Sequence, residues 1–215
     1  MNAILIFAML LMGGMAFAQF NISKLLQEED GHFSSVLHSG LTNDSFELQQ
    51  GGGNESDVTP SGTSTDSDTF QKGDGGLSVT DQVGTANFSL VKQAYNYRKW
   101  GSPNRSYINH PETANQSSVN QTSTIFSDFN YSFVSQLGDF HVASNQPWSD
   151  EKFSDVNQTG DDNHNKVSQS DFIQMAEVNR AGLINTRWVI LRGNNYGSLL
   201  NQQGNNFNSI VIQST

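Results

Sequence analysis

The sequence predicts an all-β chain, a β-solenoid of 22-residue strand-turn-strand coils with two 11-residue arcs per lap and an irregular middle. Three observations predict it. Glutamines recur every eleven residues, glycine recurs two places after them, and the marked positions alternate in steps of two, the period of a strand.

With Gln158 as position zero, steps of eleven reach Gln169, Arg180, Leu191, Gln202 and Gln213 forwards, and Pro147 and Gln136 backwards. Gly138, Gly160, Gly182 and Gly204 stand at plus two, 22 residues apart, so the full unit is two elevens. An aliphatic column at plus nine runs Val156, Val167, Val178, Val189, Leu200 and Val211, and Asn163 and Asn185 fall at plus five. The same ruler laid from Gln27 reaches His38, Gln49, Pro60, Gln71, Gln82 and Gln93. There, Gly40, Gly51, Gly62, Gly73 and Gly84 occupy plus two, Ser34, Ser45, Ser56, Ser67, Ser78 and Ser89 plus seven, and Asn43, Asn54 and Asn87 plus five. From Asn104 to Phe126 the lattice is faint, and one residue is lost from it before Gln136.

Eleven is also the period of a right-handed helical coiled coil, but that needs apolar residues three and four apart. Glycine in every period would add roughly 1 kcal/mol of cost each time in a helix. A strand over positions five to eleven, with five, seven, nine and eleven facing inward, satisfies the alternation. Positions one to four then form a turn, where glycine at plus two tolerates positive φ. Successive coils stack about 4.8 Å apart, so like residues lie over one another. Stacked amides can then donate to one coil and accept from the other. Such pairing makes a polar interior tolerable, since an unpartnered buried amide costs roughly 1–3 kcal/mol.

The expected ladder comprises Gln49, Gln71, Gln82, Asn87, Gln93, Gln136, Gln158, Asn163, Gln169, Asn185, Gln202 and Gln213. The expected turn glycines are Gly51, Gly84, Gly138, Gly160, Gly182 and Gly204. Pro60 and Pro147 take glutamine positions, and Glu47, Lys152 and Arg187 fall in inward columns, which predicts looser or bulged coils there. Residues 1–18 read as a signal peptide, 19–93 as degenerate repeats, 94–133 as an irregular segment and 134–215 as the regular repeats. The leader has an apolar core from Ala3 to Met12 and the triplet Ala16-Phe17-Ala18 ahead of a cleavage before Gln19, though no basic start. No later segment is apolar enough to span a membrane.

With no cysteine, disulfides cannot supply stability. Low hydrophobicity and a net charge of −10 predict a chain that stays unfolded until its coils stack. The acidic balance argues against nucleic acid, and the one basic stretch with aromatics, NYRKWGSPNR, reads as an irregular loop. His32, His38, His110, His141 and His164 form no zinc pattern, although His38 and His141 fall on lattice positions as substitutes for amides. The calcium-like opening DVNQTG meets Lys166 where a glutamate would be needed. QKGDGG lacks the lysine of a phosphate loop. No nucleophile stands with a base, so no enzyme and no cofactor is expected.

The motif Q-x-G-x-x-N with a further glutamine at eleven, seen in QVGTANFSLVKQ and QTGDDNHNKVSQ, resembles the curlin repeat of bacterial curli fibres. The likeness is clearest over Asp81–Gln93 and Val134–Gln213. It implies a secreted subunit of a Gram-negative-type bacterium that polymerises into an extracellular cell-surface amyloid for biofilm matrix and adhesion. Implied partners are other copies, a homologous major subunit or nucleator, and an outer-membrane export apparatus. Val178–Gln213, rich in aliphatics and free of proline, is the segment expected to drive assembly. The alternative is a monomeric β-solenoid adhesin or ligand-binding surface protein. That reading calls for a regular outward ladder, and none runs through Glu55, Asp66, Leu77 and Phe88 or through Asp57, Asp68, Val79 and Leu90.

Overall fold

The computed structural model describes residues 20–95, 104–123, 130–147, 152–170 and 174–214; the expected signal peptide lies outside the described residues. All regular structure among them is strand. In chain order these are β1 (Ile22–Glu28), β2 (Phe33–Val36), β3 (Ser39–Leu41), β4 (Asp44–Gln50), β5 (Glu55–Thr63) and β6 (Asp66–Lys72). Next come β7 (Leu77–Thr85), β8 (Phe88–Tyr95), β9 (Arg105–His110), β10 (Gln116–Ser123), β11 (Tyr131–Leu137) and β12 (Val142–Pro147). The last are β13 (Lys152–Thr159), β14 (His164–Ser170), β15 (Gln174–Ala181), β16 (Thr186–Arg192), β17 (Tyr196–Gln203) and β18 (Asn208–Gln213).

Strands alternate between two nine-stranded sheets, β1-β4-β6-β8-β10-β12-β14-β16-β18 and β17-β15-β13-β11-β9-β7-β5-β2, with β3 pairing β5 beside β2. Every pairing is parallel and in register, as in Gln49 opposite Gln71 and Val156 opposite Val178. The chain is therefore the expected β-solenoid, about eight turns high. Parallel pairing follows from the winding itself, because each strand meets its equivalent one lap later.

Side chains alternate inward and outward along each strand, and the inward ones close a narrow core between the sheets. Its apolar part is the column of Val91, Ile108, Val119, Val134, Val156, Val167, Val178 and Val189, all buried. Buried polar residues outnumber these: serines at plus seven keep the sheets close, and glutamines line the corners. Burial alone is thus too thin to hold the coils, and the glutamine and asparagine amides add hydrogen bonds between them, while several plus-seven serine hydroxyls, such as those of Ser67 and Ser78, are buried without a partner.

Within 94–133 the described strands keep their place in the stack. β10 pairs with β8 and β12, and β9 with β7 and β11. What departs from the lattice is the length of two arcs. Gln93 and the following arc asparagine, Asn104, are 11 residues apart and Gln121 and Asn130 are 9 apart, against 5 for Gln49 and Asn54. The repeat accordingly stretches from 22 to 28 and then 26 residues. Together the added residues fall one short of a whole step of eleven, so a fixed ruler registers them as one lost residue. The coils carrying Glu47, Lys152 and Arg187 also keep unbroken register, where looser or bulged coils were expected.

The arcs hold a second left-handed residue that the periodicity does not announce. Besides glycine at plus two, the residue at plus four has positive φ: Gly53 and Gly75 in two arcs, but Thr42, Ser64, Ala86, Phe140, Asp162, Ile184 and Asn206 in others, at φ between 56° and 61°. Backbone bonds continue round these corners, for example Gly160 N–H to Leu137 O at 3.0 Å and Asp162 N–H to Asp139 O at 3.0 Å.

Candidate functional site

The polar interior and the arcs that close it form the candidate site. Glutamine at position zero sits at the last inward place of a strand, where its side chain reaches the facing strand, the arc and the coil above. Gln71 shows the full set: its Nε2 donates to Glu55 O at 2.8 Å and to Gln93 Oε1 at 3.0 Å, and its Oε1 accepts from Gln49 Nε2 at 2.8 Å. The amide chain is continuous from Gln27 through Gln49, Gln71 and Gln93 to Gln121, with steps of 2.7, 2.8, 3.0 and 2.9 Å. In the other sheet Gln136 donates to Gln158 at 2.8 Å. Every donation points toward the C-terminal coil, so the dipoles add along the stack.

The remaining expected rungs are placed differently. Gln82 is buried, but with Pro60 below it and His110 above it, it donates to Ser89 Oγ at 2.7 Å and to Asp66 O at 3.1 Å. Gln169 lies between Pro147 and Leu191 and donates to Phe153 O at 3.1 Å. Gln202 and Gln213 are half-buried, each with an unpartnered Oε1. The two prolines and Leu191 interrupt the ladder because none carries an amide.

The asparagines work as brackets between a side chain and the backbone, in place of an amide-on-amide stack. Asn163 Nδ2 donates to Thr159 O of its own arc at 3.1 Å and to Gly182 O of the next coil at 3.0 Å, while its Oδ1 accepts the Asn185 N–H at 3.1 Å. Asn185 repeats this with Gly204 O at 3.0 Å and the Phe207 N–H at 2.9 Å, and Asn87 with Val83 O at 2.7 Å and the Asn115 N–H at 2.9 Å. His141 reproduces two of these bonds. Its Nδ1 accepts the Asn163 N–H at 3.2 Å, which leaves Nε2–H to donate to Leu137 O at 3.1 Å. Burial pushes the His141 imidazole below its usual range, in keeping with this neutral tautomer.

Gly51, Gly84, Gly138, Gly160, Gly182 and Gly204 all have positive φ, between 100° and 123°. At Gly160 the need is also steric: an added Cβ would lie 2.2 Å from Gly182 O, the oxygen that Asn163 bonds. Glycine, asparagine and glutamine thus form one device that fixes the distance between coils.

Sequence reasoning passed over Gln121, His110, Asn104, Asn115 and Asn130, which stand in the glutamine and asparagine columns of the long coils. The signal for them is the same column spacing once the two longer arcs are allowed. His110 is fully buried, and desolvation, with His141 adding, pushes its pKa down to about 3. Among the described residues no three His, Asp or Glu side chains converge as a metal set.

Glu47 is the acid in a register column otherwise held by Leu25, Thr69, Asn145 and valines. It is fully buried, one carboxyl oxygen accepts from Ser34 Oγ, the other has no partner, and burial raises its pKa from 4.5 to about 7. The unfolded carboxyl ionises near 4.5 and the folded one near 7, so the stability it confers falls as pH rises through that interval and is absent above it. His110 acts in the opposite sense, costing stability as pH falls from 6.5 toward 3. Glu47→Gln is expected to raise stability by about 2 kcal/mol at pH 8 and by nearly nothing at pH 4. Urea midpoints of the two proteins at both pH values check this.

The outer face of the second sheet carries a row of its own. Tyr107 and Tyr131 lie 5.6 Å apart between ring centroids, and Tyr131 stacks on Phe153 at 5.1 Å. Beside them Asn157 Nδ2 donates to Asn179 Oδ1 at 3.0 Å. On the other sheet Lys92 sits 5.6 Å over the Phe70 ring. In comparison with known proteins, no family model matches the chain, and no curated protein and no solved structure is similar to it.

Proposed function

We propose that this chain is a secreted structural subunit that polymerises into extracellular curli-like amyloid fibres, serving matrix formation and cell adhesion. The observation that carries the reading is the in-register parallel stacking of like residues with a ladder of buried amides, the arrangement of cross-β structure, within a single chain. It is supported by the edges: among the described residues β1 and β18 in one sheet, and β17 and β2 with β3 in the other, have a neighbour on one side only. Ile210 and Ile212 on β18 are 65% and 63% exposed, and an apolar edge strand of this kind is a template for another chain. Partners on this reading are further copies, a related nucleating or major subunit and an export apparatus of the outer membrane.

Incubating the purified chain from Gln19 onward tests it. Thioflavin-positive fibres with a meridional spacing of about 4.8 Å are expected, with a longer lag for Gln202→Ala/Gln213→Ala. A chain that stays folded and monomeric over days at high concentration would overturn the reading. The monomeric adhesin is the second reading, favoured by the outward aromatic row Tyr107, Tyr131 and Phe153, which offers flat rings to a ligand.

A further inference from the structure

In this solenoid the side chain at position zero faces the one seven residues later across the interior, as Gln82 faces Ser89 at 2.7 Å and His38 faces Ser45 at 3.0 Å. Where other coils set an amide against a hydroxyl, β15 and β16 set Arg180 against Arg187. Both are buried, at 3% and 0% exposure. Arg180 Nη1 takes over the glutamine's bonds, donating to His164 O and Asn185 O, and Arg187 Nη1 donates to Leu200 O at 3.0 Å. Nε and Nη2 of both guanidinium groups are buried without a partner.

Among the described residues no carboxylate balances them. Among the described residues Glu47 is the one inward-facing acid, and its strand β4 is six strands away from β16 in the sheet. The inward neighbours are Asn165 below Arg187, Ser209 above it, and Gln158 and Gln202 either side of Arg180. Asn165 is itself buried with both amide atoms unpartnered. Glu177 of β15 turns outward and accepts from Asn179. Burial and mutual repulsion push Arg180 to about 9 and burial pushes Arg187 to about 10, so both remain charged at neutral pH. Two cations buried together are costly unless something opposes their charge.

We propose that Arg180 and Arg187, with the Asn165 amide, form a buried binding site for one small monovalent anion. Four guanidinium nitrogens and an amide N–H are the donors that would replace its hydration shell. Closure of the C-terminal coils is then linked to anion concentration, whether or not the chain goes on to form fibres.

Chloride is the probe. Thermal unfolding of the full chain is followed in sodium chloride and in sodium gluconate at equal ionic strength, and the ³⁵Cl NMR linewidth is measured with the folded protein. The site predicts a melting temperature rising by about 3 °C for each tenfold increase in chloride above saturation onset, and a broadened chloride line. The double variant Arg180→Gln/Arg187→Ser carries residue types the repeat uses at these columns elsewhere. It should fold, lose the chloride dependence and leave the line narrow. Equal melting in the two salts with no broadening would overturn the proposal, as would a double variant that keeps the wild-type response.

Discussion

Gly160→Ala is expected to destabilise the folded chain by about 3 kcal/mol or more, while Gly197→Ala should change stability by less than about 0.5 kcal/mol or raise it slightly. The two positions differ in what a methyl group meets. At Gly160, φ is +100° and the Cβ would approach Gly182 O to 2.2 Å. At Gly197, in β17, nothing lies within 4 Å. Relief at Gly160 requires the two coils to separate, which also breaks the Asn163 bond to Gly182 O. Urea denaturation of the two variants beside the parent checks the contrast, and equal losses would show that coil spacing is not set at the arc.

Gln71→Ala is the second large effect, expected at about 3 kcal/mol, against less than about 0.5 kcal/mol for the neighbouring Gln50→Ala. Gln71 is 1% exposed and stands in the middle of the five-residue amide chain. Its removal takes a donor from Gln93 Oε1 and Glu55 O and an acceptor from Gln49 Nε2, and opens a void between the sheets. Gln50 points outward and donates only to Glu28 at the surface. Gln71→Glu separates hydrogen bonding from shape: the isosteric carboxylate fills the space but has no hydrogen to give. It should therefore be as damaging as alanine at pH 8. Stability should return in part as pH falls, because a buried carboxyl titrates high and its neutral form regains a donor.

The regular halves of the fold were legible because glutamine, glycine and valine each recur at one place in the coil, and few structures other than stacked strands use a period of eleven with alternation. The middle was not legible. The arcs after Gln93 and Gln121 are longer in sequence, and lengthening a connection costs little in loop closure, so β9 and β10 keep their pairing while the ruler loses Gln121. The role of the asparagines was half-read. Their column was visible, but a stack of amides and a bracket onto backbone N–H groups give the same sequence pattern, and only the hydrogen bonds of Asn163 and Asn185 distinguish them. The left-handed residue at plus four was hidden because Thr42, Ile184 and Phe140 carry no glycine signal; the neighbouring bonds hold them there. The inward Arg187 was noticed as a departure, yet its pairing with Arg180 needed the facing of position zero and plus seven.

The chain lacks cysteine, so an introduced pair reports one distance without ambiguity. Thr59 and Asp81 are register partners on β5 and β7 whose side chains bond at 3.1 Å, whereas Thr59 and Asp68 are closer in sequence but lie on opposite sheets. Under mild oxidation Thr59→Cys/Asp81→Cys should form an intramolecular disulfide in the folded chain, since adjacent strands bring Cα atoms within the roughly 4.4–6.8 Å a disulfide spans, and Thr59→Cys/Asp68→Cys should not. Rapid cross-linking of the second pair with none of the first would contradict a chain wound at 22 residues per coil.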